Sequence, residues 1–225
     1  LTGDAVQALD TLHGRLRDPD GLLLHVLAPG QAPRVGGLLG DQVAYLRALI
    51  DTHEASGQPR FLERAVAHAD AVIAAFGAPD GGFYDRLAGE AIGRLDRTDR
   101  PLPDNGLVAE SLLRLATLTH DARYREIAER TLVLYAKTFE RARSFAATYA
   151  RALARYLAPE TSVRVAGAPE ATSALRTAAR RLPTPFGAIA SEPEGSVAAF
   201  VCVGTACAAP VHQPEALAGA YAALT

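Results

Sequence analysis

The chain of 225 residues has no methionine and no tryptophan, a single lysine, Lys137, a single asparagine, Asn105, and two cysteines. Alanine and arginine abound instead, which reads as a codon bias against AT-rich triplets, so an individual arginine carries little functional meaning. Neither sign of charge is in excess. The 23 basic and 25 acidic side chains leave a net −2, too little to gather nucleic acid or an anionic membrane over a distance. No cationic segment with an apolar core opens the chain, so no signal peptide is visible and a cytoplasmic location is expected. The one long uncharged stretch, 195–214, is broken by Gly204, Thr205 and Pro210 and suits a buried strand and turn better than a membrane span. Cys202 and Cys207 have four residues between them, neither the spacing of a thioredoxin-type redox pair nor a source of four zinc ligands. A phosphate-cradling glycine loop, a paired-histidine zinc helix and a nucleophile elbow are all missing. No repeat of fixed period stands out beyond a rhythm of helix pairs.

What is present is 49% hydrophobic and 21% charged, enough apolar surface to offset the entropy of ordering the chain. From Asp4 to about Leu157 the apolar residues recur at helical spacing, which predicts six amphipathic helices. The first carries Val6, Leu9, Leu12 and Leu16 and stops at Asp18-Pro19-Asp20-Gly21; Leu22 to Leu27 follows as a strand or irregular arm. The second starts at Asp41 as a plausible N-cap, the third runs through Phe61 to Phe76, and the fourth starts near Asn105. Tyr124 to Phe139 mark the fifth, and Phe145, Tyr149, Ala152 and Tyr156 the sixth. Short connections within pairs two–three and four–five predict antiparallel hairpins, and the long Gly/Asp/Arg-rich loop from Gly77 to Pro103 is the kind that carries function. After Pro159 the pattern changes to short strands around Val163, Phe186 to Ala190 and Val197 to Val203, with a helix from Pro169 to Leu182 and another from Pro214 to Leu224. The expected architecture is therefore mostly α, residues 1–158, with a small α/β unit over 159–225.

The chemistry-bearing residues sit at predicted helix starts and in loops: His25, Asp41, Tyr84, Asp85, Arg100, Asp104 and Asn105. In a barrel of hairpins such ends converge on one mouth, where carboxylates or imidazoles can exchange protons with a sugar. Each also has a plain structural reading. Asp41 suits an N-cap, Asp104 and Asn105 suit capping before Gly106, and His25 suits an edge strand. Glu63, His68 and Asp70 do not share one helical face, so neither metal nor cofactor is expected. His13, His53, His120 and His212 read as surface residues. The arginines at 141, 143, 151, 155, 176, 180 and 181 read as solvated faces, and the two cysteines as buried thiols or, if close enough, a disulfide or redox pair.

Gly21-Leu22-Leu23-Leu24-His25, Gly37-Leu38-Leu39-Gly40-Asp41, Gly81-Gly82-Phe83-Tyr84-Asp85, Pro103-Asp104-Asn105-Gly106 and Cys202 to Pro210 occur in this order. Together they resemble the C-terminal part of proteins that join an N-terminal thioredoxin-like domain to a six-hairpin α-toroid, including the spermatogenesis-associated protein 20 group. That resemblance implies a partial α/α toroid similar to those of N-acylglucosamine 2-epimerase and several glycoside hydrolases. It also implies a carbohydrate-type pocket lined by Asp41, Tyr84, Asp85 and Asn105. Asp41, Asp85 and Asp104 are then the acid/base candidates, His25, Tyr84, Arg100 and Asn105 position a sugar ligand, and a thioredoxin-like domain or second subunit completes the ring. The chain departs from the family at Gly40, where a second acid is usual, at Gln42, where Tyr is usual, and at Pro103-Asp104, where the turn is usually Ser-rich. Those departures support the alternative of a non-catalytic scaffold or partner-binding domain.

Overall fold

The computed structural model describes residues 2–87 and 97–225. Six α-helices follow in order: α1 (Thr2–Arg15), α2 (Leu39–Ser56), α3 (Pro59–Phe76), α4 (Leu102–Thr119), α5 (Ala122–Tyr135) and α6 (Ala147–Leu157). α2 packs with α3 and α4 with α5 as the two expected antiparallel hairpins, α1 lies against α2, and α6 lies against α4. Because the chain direction alternates, α2, α4 and α6 run parallel as one layer and α1, α3 and α5 form the other. α4 lies at the centre, with twelve of its eighteen residues buried, including Val108, Leu112 and Leu115. The tail supplies β1 (Thr161–Ala166), α7 (Ser173–Ala179), β2 (Ala188–Glu192), β3 (Ala198–Val203), β4 (Ala206–Cys207) and α8 (Leu217–Ala222). Its sheet has the order β2-β1-β3-β4, with β1 parallel to β2 through the α7 crossover and antiparallel to β3.

Helix starts lie earlier than the sequence pattern suggests. α2 begins at Leu39 and α4 at Leu102, so Asp41 is not an N-cap and Asp104-Asn105 is not a turn; all three sit in first helical turns. Phe145 precedes α6 within a 3₁₀ segment, Phe139–Ala146, and is exposed rather than inward-facing. The helix expected from Pro169 to Leu182 is confined to α7, and β4 was not anticipated.

A repeat that periodicity does not reveal is plain in the backbone. Pro19-Asp20-Gly21 and Pro79-Asp80-Gly81 make equivalent turns after α1 and α3. Asp18 N–H donates to the Leu22 carbonyl and Leu24 N–H to Leu16; Ala78 N–H donates to Gly82 and Tyr84 N–H to Phe76. Both Gly21 and Gly81 have positive φ, 85° and 104°, which a β-carbon would strain. The sequence signal was there, as Pro-Asp-Gly sixty residues apart, but the surrounding side chains differ too much to draw the eye.

At the far ends of the inner helices the α/β unit is fastened on. Arg176 of α7 is 1% exposed and lies over Gly57, the left-handed C-cap of α2, where an added β-carbon would fall 2.4 Å from the guanidinium carbon. It donates to Thr172 and Ser191 hydroxyls, and burial without a carboxylate pulls its pKa down. Arg155 donates to the Phe186 carbonyl, and burial lowers its pKa to about 10. Arg176 and Arg155 are therefore structural cations, not the solvated faces their spacing suggested. His53, expected at the surface, is buried, its Nδ1–H donating to the Gln58 carbonyl. His13 is partly buried against the Tyr45 hydroxyl.

Cys202 and Cys207, which face each other across the β3–β4 pair, are joined as a disulfide with 4.1 Å between α-carbons. Neither is a buried free thiol; Cys207 is exposed. No helix among the described residues is long and apolar enough to cross a membrane.

Candidate functional site

Two fully buried amides organise the mouth. Gln42, fourth residue of α2, accepts from Leu23 N–H at 2.7 Å and donates to Leu23 and Leu38 carbonyls at 2.9 and 3.2 Å. Asn105, fourth residue of α4, accepts from Phe83 N–H at 2.6 Å and donates to Phe83 and Pro101 carbonyls at 2.9 and 3.0 Å. Each amide thus imitates a strand partner for one loop residue and satisfies backbone groups that would otherwise be buried and unpaired. Asn105 is 0% exposed with both ends of its amide engaged, so it builds the loop instead of touching a ligand. Gln42, which sequence reasoning treated as a lost tyrosine, is its counterpart.

His68 of α3 supports the first clamp: Nε2 lies 3.1 Å from the Gln42 carbonyl and Nδ1 3.3 Å from that of Gly21. Burial pushes its pKa from 6.5 down to about 4, against the pull of those carbonyls. The folded state therefore refuses a proton that the unfolded chain accepts, and stability falls as pH drops from 6.5 towards 4, by about 3 kcal/mol. Denaturant titrations across that window should give a clearly flatter slope for His68→Gln, with a residue left by His13 and His53, whose pKa values burial also lowers. An unchanged slope would refute the assignment.

Two residues beyond each clamped position, the loop delivers a titratable side chain to an aspartate at the third position of the following helix. In the α1–α2 loop His25 Nδ1 lies 2.9 Å from Asp41 Oδ2. In the α3–α4 loop, the charge of Asp85 acts on Asp104. Burial, with the Asp85 charge adding to it, holds the Asp104 carboxyl above its ordinary value although the helix N-terminus favours its anion. The two stations are adjacent because the loops pair: Leu39 N–H donates to the Asp85 carbonyl at 2.9 Å, which caps α2, and Leu87 N–H to the Gly37 carbonyl at 3.0 Å. Asp85 Oδ1 accepts from Asp99 N–H, which fixes that carboxylate.

A search of solved structures finds the same fold elsewhere. Cellobiose 2-epimerase from Bacillus thermoamylovorans superposes with a TM-score of 0.51 at 12% identity, over 61% of this chain and 35% of the epimerase. A variant of the unsaturated glucuronyl hydrolase UGL with dGlcA-Glc-Rha-Glc matches with a TM-score of 0.44 at 20% identity, over 58% of this chain and 37% of that one. The chain is an arc of an α/α toroid. It spans about a third of the length of the toroid enzymes it matches. No protein-family model and no curated protein matches it.

His25 is paired with Asp41 and Asp85 acts on Asp104, but other expected residues lie elsewhere. Arg100 is bound to the Asp80 carboxylate at 2.7 Å and the Gly81 carbonyl at 2.8 Å, on the turn side of the loop, 5.9 Å from the half-buried Tyr84 ring. A cavity of about 540 Å³ lies behind that turn against α5, lined by Asp80, Glu126, Glu129 and Arg130, and holds none of the expected acid/base residues. The loop portion 88–96 lies outside the described residues. Among the described residues no group of three or more His, Cys, Asp or Glu is arranged to hold a metal ion.

Proposed function

We propose that the mouth binds a sugar and exchanges protons with it, as an epimerase, isomerase or glycosidase-type site. The observation carrying this reading is the pair of equivalent stations: an imidazole oriented by a carboxylate at α2, and a carboxyl biased towards its protonated form at α4. Proton transfer needs one group that gives up a proton and another that takes one, and a buried carboxyl beside a carboxylate-oriented imidazole can supply the two. In this reading Asp104 is the acid, His25 the base and Asp41 its orienting partner, while burial, with the Asp85 charge adding to it, raises the proton affinity of Asp104. Tyr84 offers a ring for a sugar face. The finer family reading, a C-terminal part of the thioredoxin-domain toroid group completed by a thioredoxin-like domain or second subunit, rests on the ordered motifs, and the cytoplasmic expectation goes with it. The Cys202–Cys207 bridge pulls against a cytoplasmic location, since disulfides persist in oxidising compartments. The scaffold reading is favoured by the engagement of Asn105 and Arg100, which leaves fewer groups to hold a ligand.

A panel of neutral, amino and acidic mono- and disaccharides, incubated with the protein in D₂O, separates the two. Uptake of solvent deuterium at a sugar carbon, or a new sugar product, is expected, together with a rise in apparent melting temperature for the active class. No exchange, no product and no thermal shift across the panel would leave the scaffold reading standing.

A further inference from the structure

The open flank formed by α5 and α6 is unusually apolar. Leu132, Val133, Ala136, Phe139, Leu153 and Leu157 are among the residues lining a groove of about 160 Å³ between α5 and α6. Val133, Phe145 and Leu157, exposed by 66%, 73% and 72%, are the most exposed large hydrophobic side chains of the described residues. Beyond Leu157 the solvent side of α6 continues with Ala147, Ala150 and Ala154, side chains small enough for another helix to approach closely. The α/β unit does not cover this flank, since β2 and α7 pack on α2 and α4.

Charge on the groove rim indicates what covers it. Glu129 lines the groove on α5, where its carboxylate also accepts from the Tyr156 hydroxyl across the groove. Lys137, the only lysine of the chain, lies eight residues further on, exposed and without an ion-pair partner among the described residues. α5 ends at Tyr135 and Lys137 lies in the turn that follows; continued helix would set it about 12 Å from Glu129, too far for the two to meet within one chain, and Val133 stands between them. A two-fold axis passing near Val133 sets Glu129 of each copy against Lys137 of the other and buries both Val133 side chains at the centre.

We propose that this face pairs two copies of the chain, isologously, through the α5–α6 groove with reciprocal Glu129–Lys137 ion pairs. A contact of this symmetry closes at two subunits.

Sedimentation equilibrium should find a monomer–dimer equilibrium, and a zero-length carbodiimide cross-linker should give one dominant inter-chain peptide, joining residues 129 and 137. Lys137→Glu is expected to raise the dimer Kd about tenfold, the size of a lost partly desolvated pair together with the like-charge contact that replaces it. The double reversal Glu129→Lys, Lys137→Glu should restore pairing and still cross-link between the same two positions. Val133→Arg should abolish the dimer. Circular dichroism checks that each exposed substitution leaves the fold intact. A species that stays monomeric to about 100 μM, where even a weak interface associates, overturns the proposal. So does an assembly larger than a dimer, or a dimer whose Kd is indifferent to Lys137→Glu.

Discussion

Replacing Asp104 by Asn is expected to lower the rate of sugar proton exchange by about 10² to 10⁴, the range one general acid contributes, while leaving the fold at least as stable. The second half of this expectation follows from the sign of the shift. Burial and the Asp85 charge raise the Asp104 pKa in the folded state, so its protonated form is the one the fold prefers. What it contributes is complete below the unfolded pKa and is lost as pH rises through the folded one. At neutral pH the wild-type carboxylate is a burden, and the neutral amide removes it. Activity that needs the protonated acid should likewise decline as pH rises through that elevated pKa. Asp85→Asn removes the second of the two causes, so the same decline should move to lower pH. A pH–rate profile that does not move in Asp85→Asn, or an Asp104→Asn protein with full exchange activity, would sink the assignment of Asp104. Loss of stability in Asp104→Asn would sink the argument about its surroundings.

The largest stability effects should come from the two amide clamps. Asn105→Leu keeps the volume and removes three hydrogen bonds, leaving the Phe83 N–H and carbonyl buried without partners. Each orphaned group costs about 1–3 kcal/mol, so a total of about 3–5 kcal/mol is expected. Gln42→Leu strands the Leu23 N–H and carbonyl in the same way and should cost a similar amount. Gln31→Leu, on the exposed arm, is the control and should stay within about 0.5 kcal/mol of wild type. Urea unfolding of the three variants decides the matter. If Asn105→Leu behaved like the control, the amide would be dispensable to the loop and free to face a ligand, and its role as a clamp would have to be given up.

Much of the helical arc could be read from the chain alone. Spacings such as Phe61, Ala65, Ala69, Val72 and Phe76 leave one stripe to bury, and the strands around Val163 and Val201 have the β-branched composition that a sheet core accepts. Helix starts were less legible. Leu39 and Leu102 carry no capping side chain, and their first turns are stabilised by distant backbone, as when the Asp85 carbonyl caps α2. The same holds for Arg176 and His53, whose interior positions depend on the α/β unit folding onto the end of α2 and not on any local pattern.

Sequence by itself determined the inventory: which stretches must be helical, where Pro-Asp-Gly turns reverse the chain, and that an imidazole and several carboxylates fall at helix starts and in the loops before them. These are local properties, set by side-chain periodicity and backbone sterics over a few residues. Only the tertiary structure decided which of those polar groups hold loops and which pair with one another in front of the helix starts. Adjacent residues on one helical turn point in different directions, so Asp104 feels the charge of Asp85 while its neighbour Asn105 is turned inward to grip Phe83. Pairings over 16, 19 and 22 residues arise when the loop before a helix folds back onto that helix's first turn, and no local rule of the chain encodes them.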